Sequence, residues 1–233
     1  MRSKQSGFTL VEIAIVLVII GLLLGGVLKG QELINSAKVK NMAVDFRNIP
    51  LFIYGYQDKF RALPGDHRTA DTALPGATLG PVGTIGNGVI DGVWNTVAGT
   101  SETDLFWQHV RLAGLAAGPT SVADPNYYPT NADGGRIGIE SGGSATGGAY
   151  IQNASVAAGV TTGLGTNFTP TYLVCSSGIL GKYAKQLDAT LDDGEAATGS
   201  VRIVALTHAR GAPAEVGTAL VNDSTSYIVC MGL

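Results

Sequence analysis

A single carboxylate, Glu12, stands within a long apolar segment that covers residues 8–28 (FTLVEIAIVLVIIGLLLGGVL). A charged group in apolar surroundings is costly unless a group of opposite charge pairs with it. An ionisable side chain in a segment of membrane-spanning length is therefore a functional hypothesis by itself. The residues before the segment are polar, and two of them, Arg2 and Lys4, are basic.

Length and charge leave three interpretations of this segment open: a cleaved signal peptide, a signal anchor, or a precursor cut before the apolar run. A helix of this length spans roughly 30 Å, which is enough to cross a bilayer. The basic residues before it predict that the N-terminus stays inside and the rest of the chain outside. A signal peptide needs a small-residue cleavage site after the apolar run, and residues 27–31 (VLKGQ) offer none. A plain anchor leaves Glu12 unexplained.

Residues 4–12 (KQSGFTLVE) resemble the processing motif of type IV prepilins, in which a basic leader ends in Gly. The resemblance implies that a membrane peptidase cuts between Gly7 and Phe8 and that the new amino group on Phe8 is methylated. Glu12 lies one helical turn after Phe8. Pairing with the amino terminus of a neighbouring subunit would offset the cost of burying Glu12 and would fix the axial register. The family resemblance implies the same role.

This resemblance implies a structural subunit, a pilin or pilin-like protein, of a type IV pilus-like extracellular or periplasmic filament. The expected partners are copies of itself or other pilins, the prepilin peptidase and an inner-membrane assembly platform. We expect an inner-membrane precursor that later joins a periplasmic or cell-surface filament. Two alternatives stay open. One is a minor pseudopilin of a type II secretion system, and the other is a membrane-anchored exported binding protein or enzyme that does not polymerise.

The expected fold is α+β, with a long N-terminal helix packed on a small antiparallel sheet, as in pilins. The expected domains are a leader at 1–7, a transmembrane and polymerisation helix at 8–30, its amphipathic continuation at 31–62 and a globular β-rich head at 63–233. Softer similarities to bacterial pilin-like proteins support the same family without choosing a subtype. They occur at residues 56–66, 106–118 and 187–199.

Helical patterning continues after the apolar segment to about Phe60. Four glycines weaken the helix between residues 21 and 30, which makes this zone either a close-packing surface or a place that unwinds during assembly. Pro50 is expected to kink the helix, because proline removes a hydrogen bond and crowds the preceding turn. Residues 63–66 (LPGD) predict the turn that ends it.

The head is expected to contain two short helices and several short antiparallel strands between Gly-rich turns. A hydroxyl N-cap and acidic residues at 100–104 predict a helix that stops near Gly114 or Gly118. A second helix is predicted at residues 181–191. The predicted strands are 136–140, 149–153, 171–175, 201–206 and 227–230.

The chain has two cysteines, Cys175 and Cys230. An even, small count in an exported chain favours one disulfide, whereas a cytosolic protein would keep two reduced thiols. The export that the N-terminal motif implies favours the bridge, which would staple the last strands of the head.

Several oxygen-bearing side chains in the head are candidate calcium ligands. No D-x-[DN]-x-[DN]-G loop is complete, so solvated turn carboxylates are the favoured interpretation and no cofactor is expected. The candidates are Asn87, Asp91, Asp188, Asp192, Asp193 and Glu195.

Composition and motifs argue against the other function classes. The net charge is −3, and no basic cluster interleaved with aromatics occurs, so nucleic-acid binding is not expected. The histidines share no metal-binding spacing, and no nucleophile, phosphate-binding or dinucleotide motif occurs, so no enzymatic activity is expected. Trp94 and Trp107 are expected in the core, and the role of the Gly/Ser/Thr-rich stretch 141–166 stays open. The three histidines are His67, His109 and His208.

Overall fold

A computed structural model describes residues 10–142, 150–152, 168–208, 210–213 and 221–233. The chain divides into two compact units, residues 1–38 and residues 39–233. The elements in chain order are α1 (Leu10–Phe60), α2 (Ala70–Ala73), α3 (Glu102–Leu112), β1 (Ile137–Ser141), β2 (Ile151–Gln152), β3 (Tyr172–Leu180), α4 (Gly181–Leu191), β4 (Val201–Ala205), β5 (Ala212–Pro213) and β6 (Ser226–Gly232). The predicted α+β class is confirmed.

The first unit contains the apolar part of α1, which is helical from Leu10 onward. Its large apolar side chains are exposed, with Leu10 at 86% and Leu22 at 74% of their full accessible area. The helix is continuous through all four glycines between residues 21 and 30, and a Cβ added at any of them would have no atom of the described residues within 4 Å apart from the neighbouring helix backbone. These glycines therefore leave a smooth helix surface that nothing within the described chain occupies.

In the second unit, α1 buries one face against the head. The buried positions recur at steps of three, four and seven, the period of an amphipathic helix. The helix runs on through Pro50 and ends at Phe60, where Arg61 takes a positive φ of 55°. The predicted LPGD turn follows. The buried residues of α1 are Val39, Met42, Ala43, Phe46, Ile49, Ile53 and Tyr56.

The main sheet has four antiparallel strands in the order β1-β3-β6-β4. Four of the five predicted strands fall on strands of the structure, but β3 continues to Leu180 instead of ending at Cys175. A register shift between Ser176 and Ile179 allows this, because Gly178 adopts a φ of 72° and the strand bulges there. In the sequence the Ser-Ser-Gly run at this point is typical of a turn.

The remaining predicted strand, 149–153, is only partly described, since residues 149 and 153 lie outside the described residues. Its described part, β2, pairs with β5 in parallel, so the expectation of purely antiparallel strands was wrong for this pair. A parallel pair joins segments that are distant in the chain, so a local pattern does not reveal it. Most of the stretch 141–166 also lies outside the described residues.

Both predicted head helices are present. Ser101 caps α3, and its Oγ accepts a hydrogen bond from the backbone N–H of Asp104 at 3.3 Å. The helix ends before Gly114, which has a φ of 77°. The bounds predicted for α4 are those of the structure. The short helix α2 was not predicted from the sequence.

The core of the head lies between the sheet, α3, α4 and the second half of α1. Trp94 and Trp107 are buried, as expected. Cys175 in β3 and Cys230 in β6 are register partners on neighbouring strands, and their sulfurs are joined in a disulfide. Both cysteines are fully buried, so the bridge sits inside the sheet's core and not on its surface.

Replacing both cysteines (Cys175→Ala with Cys230→Ala) is expected to lower the free energy of unfolding by about 4 kcal/mol, because the bridge closes a loop between residues 55 positions apart. Urea unfolding of the detergent-solubilised full-length protein measures this difference. Iodoacetamide labelling of the native, non-reduced wild type is the companion measurement. Labelling of either cysteine there would contradict the bridge.

Candidate functional site

The apolar part of α1 is long and apolar enough to cross a membrane, judged by length and composition. Its most apolar 18-residue window has a mean hydropathy of 2.8, and none of that window is buried within the chain. Apolar area of this extent in contact with water is unfavourable by roughly 25 cal/mol per Å². The segment therefore requires lipid or other protein surfaces around it.

Glu12 lies in the first described turn of α1 and is exposed. The partial positive charge at a helix N-terminus favours a carboxylate at this position. The predicted processing residues, Gly7 and Phe8, lie outside the described residues. The cleavage between them and the pairing of Glu12 with an amino terminus stay predictions.

The turn that follows α1 is held by a buried carboxylate that the sequence reasoning did not assign. Asp66 accepts hydrogen bonds from the backbone N–H groups of Gly86, Asn87 and Gly88. Three N–H donors on one carboxylate form a strong, charge-assisted set of hydrogen bonds. They join the LPGD turn to a loop some twenty positions later in the chain. The sequence shows both turn motifs, but nothing in it indicates that the Asp66 side chain bonds to the backbone of the second turn.

A second buried carboxylate, Glu102 at the start of α3, fastens the other side of the same loop. Its Oε2 accepts from the Asp91 backbone N–H at 2.8 Å, and its Oε1 accepts from Thr84 Oγ1 at 2.8 Å. The pKa of Glu102 is raised to about 7, chiefly by burial; the two hydrogen bonds lower it, and the negative charges of Asp66 and Asp91 add to the rise. The loop is thus held by two buried carboxylates, Asp66 on one side and Glu102 on the other.

The candidate calcium ligands fall into two separate places. Asn87 Nδ2 donates to Asp91 Oδ2 at 2.7 Å, so these two side chains satisfy each other within the loop. Asp188, Asp192 and Asp193 come together elsewhere, at the end of α4. Glu195 is exposed and does not belong to that group.

The histidines have structural contacts. His109 is fully buried on α3, where its Nδ1 accepts from the Gly65 N–H at 2.9 Å. Burial lowers the pKa of His109 to about 4, so the ring is neutral at physiological pH. His208 Nε2 lies 3.1 Å from the Tyr150 carbonyl oxygen. In the described part of the chain, no histidine joins a metal-binding group.

A cleft of about 710 Å³ lies beside the end of α1 and contains His67. Thr69 Oγ1 is 3.3 Å from His67 Nε2, the arrangement of a nucleophile and its base. The other ring nitrogen, Nδ1, faces the Tyr56 hydroxyl at 2.8 Å and not a carboxylate. Burial also lowers the pKa of His67, which weakens it as a base. A serine-protease-like triad needs an acid at that position, so the Thr69–His67 contact is not a triad of that kind.

The comparisons with known proteins bear on the N-terminus. Residues 2–28 match the family model of the prokaryotic N-terminal methylation motif. No curated protein and no solved structure matches the chain. The matched motif is the signal motif of type IV pilins and pseudopilins, so the resemblance seen in the sequence is confirmed. Together with the apolar helix, it indicates a pilin-like protein made as a membrane-anchored precursor.

The raised pKa of Glu102 predicts a pH dependence of stability. Because the folded chain binds this proton more tightly than the unfolded chain, the stability it adds is complete below about pH 4.5 and is lost as the pH rises through about 7. Glu102→Gln removes the charge, keeps one oxygen that can accept from the Asp91 N–H, and gains an amide N–H that can donate to Thr84 Oγ1. We expect its free energy of unfolding to exceed that of the wild type by about 1 to 3 kcal/mol at pH 8.

Thermal unfolding of both proteins at pH 5 and pH 8 measures this difference. The histidines contribute equally to both proteins and cancel in the comparison. Glu32→Gln, at an exposed carboxylate paired with Lys29, is the matched control and should follow the wild type at both pH values. An equal pH slope for Glu102→Gln and the wild type would contradict the assignment.

Proposed function

We propose that this chain is a structural subunit of a type IV pilus-like extracellular or periplasmic filament, assembled through its N-terminal helix. The observation that carries the proposal is the methylation motif at residues 2–28, which leads without interruption into an apolar helix that the chain does not bury. An ordinary membrane anchor requires the apolar helix but does not require the methylation motif.

The apolar helix has two environments in this proposal. Lipid covers it in the precursor, and the helices of neighbouring subunits cover it in the filament. Small residues suit the second environment, because Gly21, Gly25 and Gly26 allow close approach of another helix. The continuous helix of the described structure supports packing against parallel copies over its whole apolar length.

Glu12 supplies the specificity that apolar packing lacks. Apolar helices slide past one another at little cost, whereas a buried carboxylate is stable only beside a positive charge. In the proposed filament the partner is the methylated amino group of Phe8 on an adjacent subunit. This pairing fixes the axial position of each new subunit.

The disulfide supports an exported head. Buried bridges persist in oxidising compartments and are uncommon in the reducing cytosol. With basic residues before the apolar helix, the proposed orientation places the N-terminus inside and the head outside the inner membrane. The proposed partners are other pilin-type helices, the prepilin peptidase and an inner-membrane assembly platform.

We also propose that the subunit carries out no catalytic step. The Thr69–His67 contact, the most enzyme-like arrangement among the described residues, lacks an acid and has a poorly basic histidine. A minor pseudopilin of a type II secretion system is the alternative within the same class. A membrane-anchored exported protein that does not polymerise is the alternative of a different class, and the methylation motif disfavours it.

Processing between Gly7 and Phe8 is the first test. Intact mass and N-terminal sequencing of the protein from its native membrane or sheared-surface fraction should show a chain that begins at Phe8 and carries one added methyl group. Replacing Gly7 with a bulky residue should leave the precursor uncut. A wild-type chain that keeps Met1, or one cut after residue 28, would refute the filament subunit and favour the anchored or secreted protein.

The assembly role of Glu12 is tested by Glu12→Ala. We expect this variant to insert and to be processed normally but to yield far less filament, because the register-fixing charge pair is lost. Glu32→Ala removes a carboxylate from the same helix beyond the apolar segment and is the matched control. Filament yield is measured by shearing and quantitative blotting, and a wild-type yield from Glu12→Ala would count against the pairing.

A further inference from the structure

Three carboxylates converge where α4 ends. Asp188 lies in the last turn of the helix, and Asp192 and Asp193 follow its last residue. One oxygen of each carboxylate lies within 4.8 Å of the others. Residues four positions apart share a helix face, which brings Asp188 and Asp192 to the same side. Three negative charges at this distance repel one another unless a cation lies among them.

Asp188 is the member of the group that requires an explanation. Its side chain is fully buried, and neither carboxylate oxygen has a hydrogen-bond partner in the described part of the chain. Buried polar atoms in folded proteins are almost always paired, because leaving a carboxylate desolvated and unpaired costs several kcal/mol. One of the two oxygens lies within 4.8 Å of an oxygen of each of the other carboxylates.

Arg202, a basic side chain whose charge acts on Asp188, does not supply the missing hydrogen bonds. Arg202 on β4 is buried, and its guanidinium lies over the Phe168 ring, 5.0 Å from the ring centroid. Its Nη1 also lacks a hydrogen-bond partner among the described residues. Arg202 therefore adds positive charge near the group without bonding to Asp188.

The loop that carries the other two carboxylates is already fixed. Asp192 accepts from the backbone N–H groups of Ser200 and Val201, the latter at 2.9 Å. Asp193 Oδ2 accepts from Thr198 Oγ1 at 2.7 Å. Gly199 has a φ of 70°, and a side chain there would overlap the Asp192 carboxylate. These contacts position both carboxylates next to Asp188 and leave further lone pairs for a ligand.

We propose that Asp188, Asp192 and Asp193 bind a divalent cation, with a preference for calcium, at the junction of α4 and β4. The donors are all carboxylate oxygens, which hard cations prefer, and no nitrogen or sulfur donor is present in the group to favour zinc or copper. Calcium bonds of about 2.4 Å reach oxygens at this separation, and calcium accepts the irregular geometry of a loop. Magnesium requires a tighter and more regular octahedron.

The cation gives Asp188 the partner that the described part of the chain does not supply. It also ties the end of α4 to the loop that leads into β4, so the bound form of the head is more stable than the free form. This site contains no residue of the apolar helix, so a negative result for calcium binding would leave the proposed filament function unaffected, and the reverse also holds.

The test measures the melting temperature of the purified, detergent-solubilised full-length chain in EDTA and in increasing calcium chloride. The wild type should show a saturable rise in melting temperature. Asp193→Asn, at an exposed position, should weaken the calcium response roughly tenfold or more. Asp188→Asn should melt higher than the wild type in EDTA, because it removes an unpaired buried charge, and should lose the calcium response.

Asp71→Asn, which removes an exposed carboxylate on α2, is the matched control and should respond to calcium like the wild type. No calcium response in the wild type would overturn the proposal, as would a response that Asp193→Asn and Asp71→Asn retain equally. A response to magnesium chloride as strong as that to calcium chloride would overturn the calcium preference.

Discussion

An apolar helix surface that the chain does not bury is the constraint on which the rest depends. From Leu10 to Leu28 the helix has no cover from its own chain, so its environment must come from outside. A lipid bilayer and a bundle of like helices are both apolar, and one sequence suits both. The same constraint explains why a single charge, Glu12, matters so much. In a surface without other polar groups, one carboxylate sets where a partner can rest.

The head meets a different requirement, because it has a core of its own. The second half of α1, from Val39, buries its apolar face within that core. The Cys175–Cys230 bridge links the neighbouring strands β3 and β6 of the sheet. Glycine-rich turns join the elements, and Asp66 ties the turn after α1 to the loop at residues 86–88 through backbone N–H groups.

Local sequence patterns predicted the features that depend on interactions between residues close together in the chain. The helix to Phe60, the N-cap Ser101 and the bounds of α4 follow from periodicity and capping chemistry. The extension of β3 beyond Cys175 and the β2–β5 pairing depend on partner strands that are distant in the chain, which a local pattern does not contain. The N-terminal motif was predictable for another reason: its residue types and offsets are a recognition signal that a family model also matches.

Buried acids show what the sequence could not reveal about the head. Asp66 accepts hydrogen bonds from backbone N–H groups, and Glu102 accepts them from an N–H and a hydroxyl. Asp104 and Glu140 each form an ion pair with an arginine. Each solution uses donors far away in the chain, so composition alone could not assign them. Asp188 is as deeply buried as any of these and has no such donor in the described structure. A fold that satisfies these other buried acids with its own groups leaves Asp188 to a ligand more readily than to strain, since an unpaired buried charge is the costlier state.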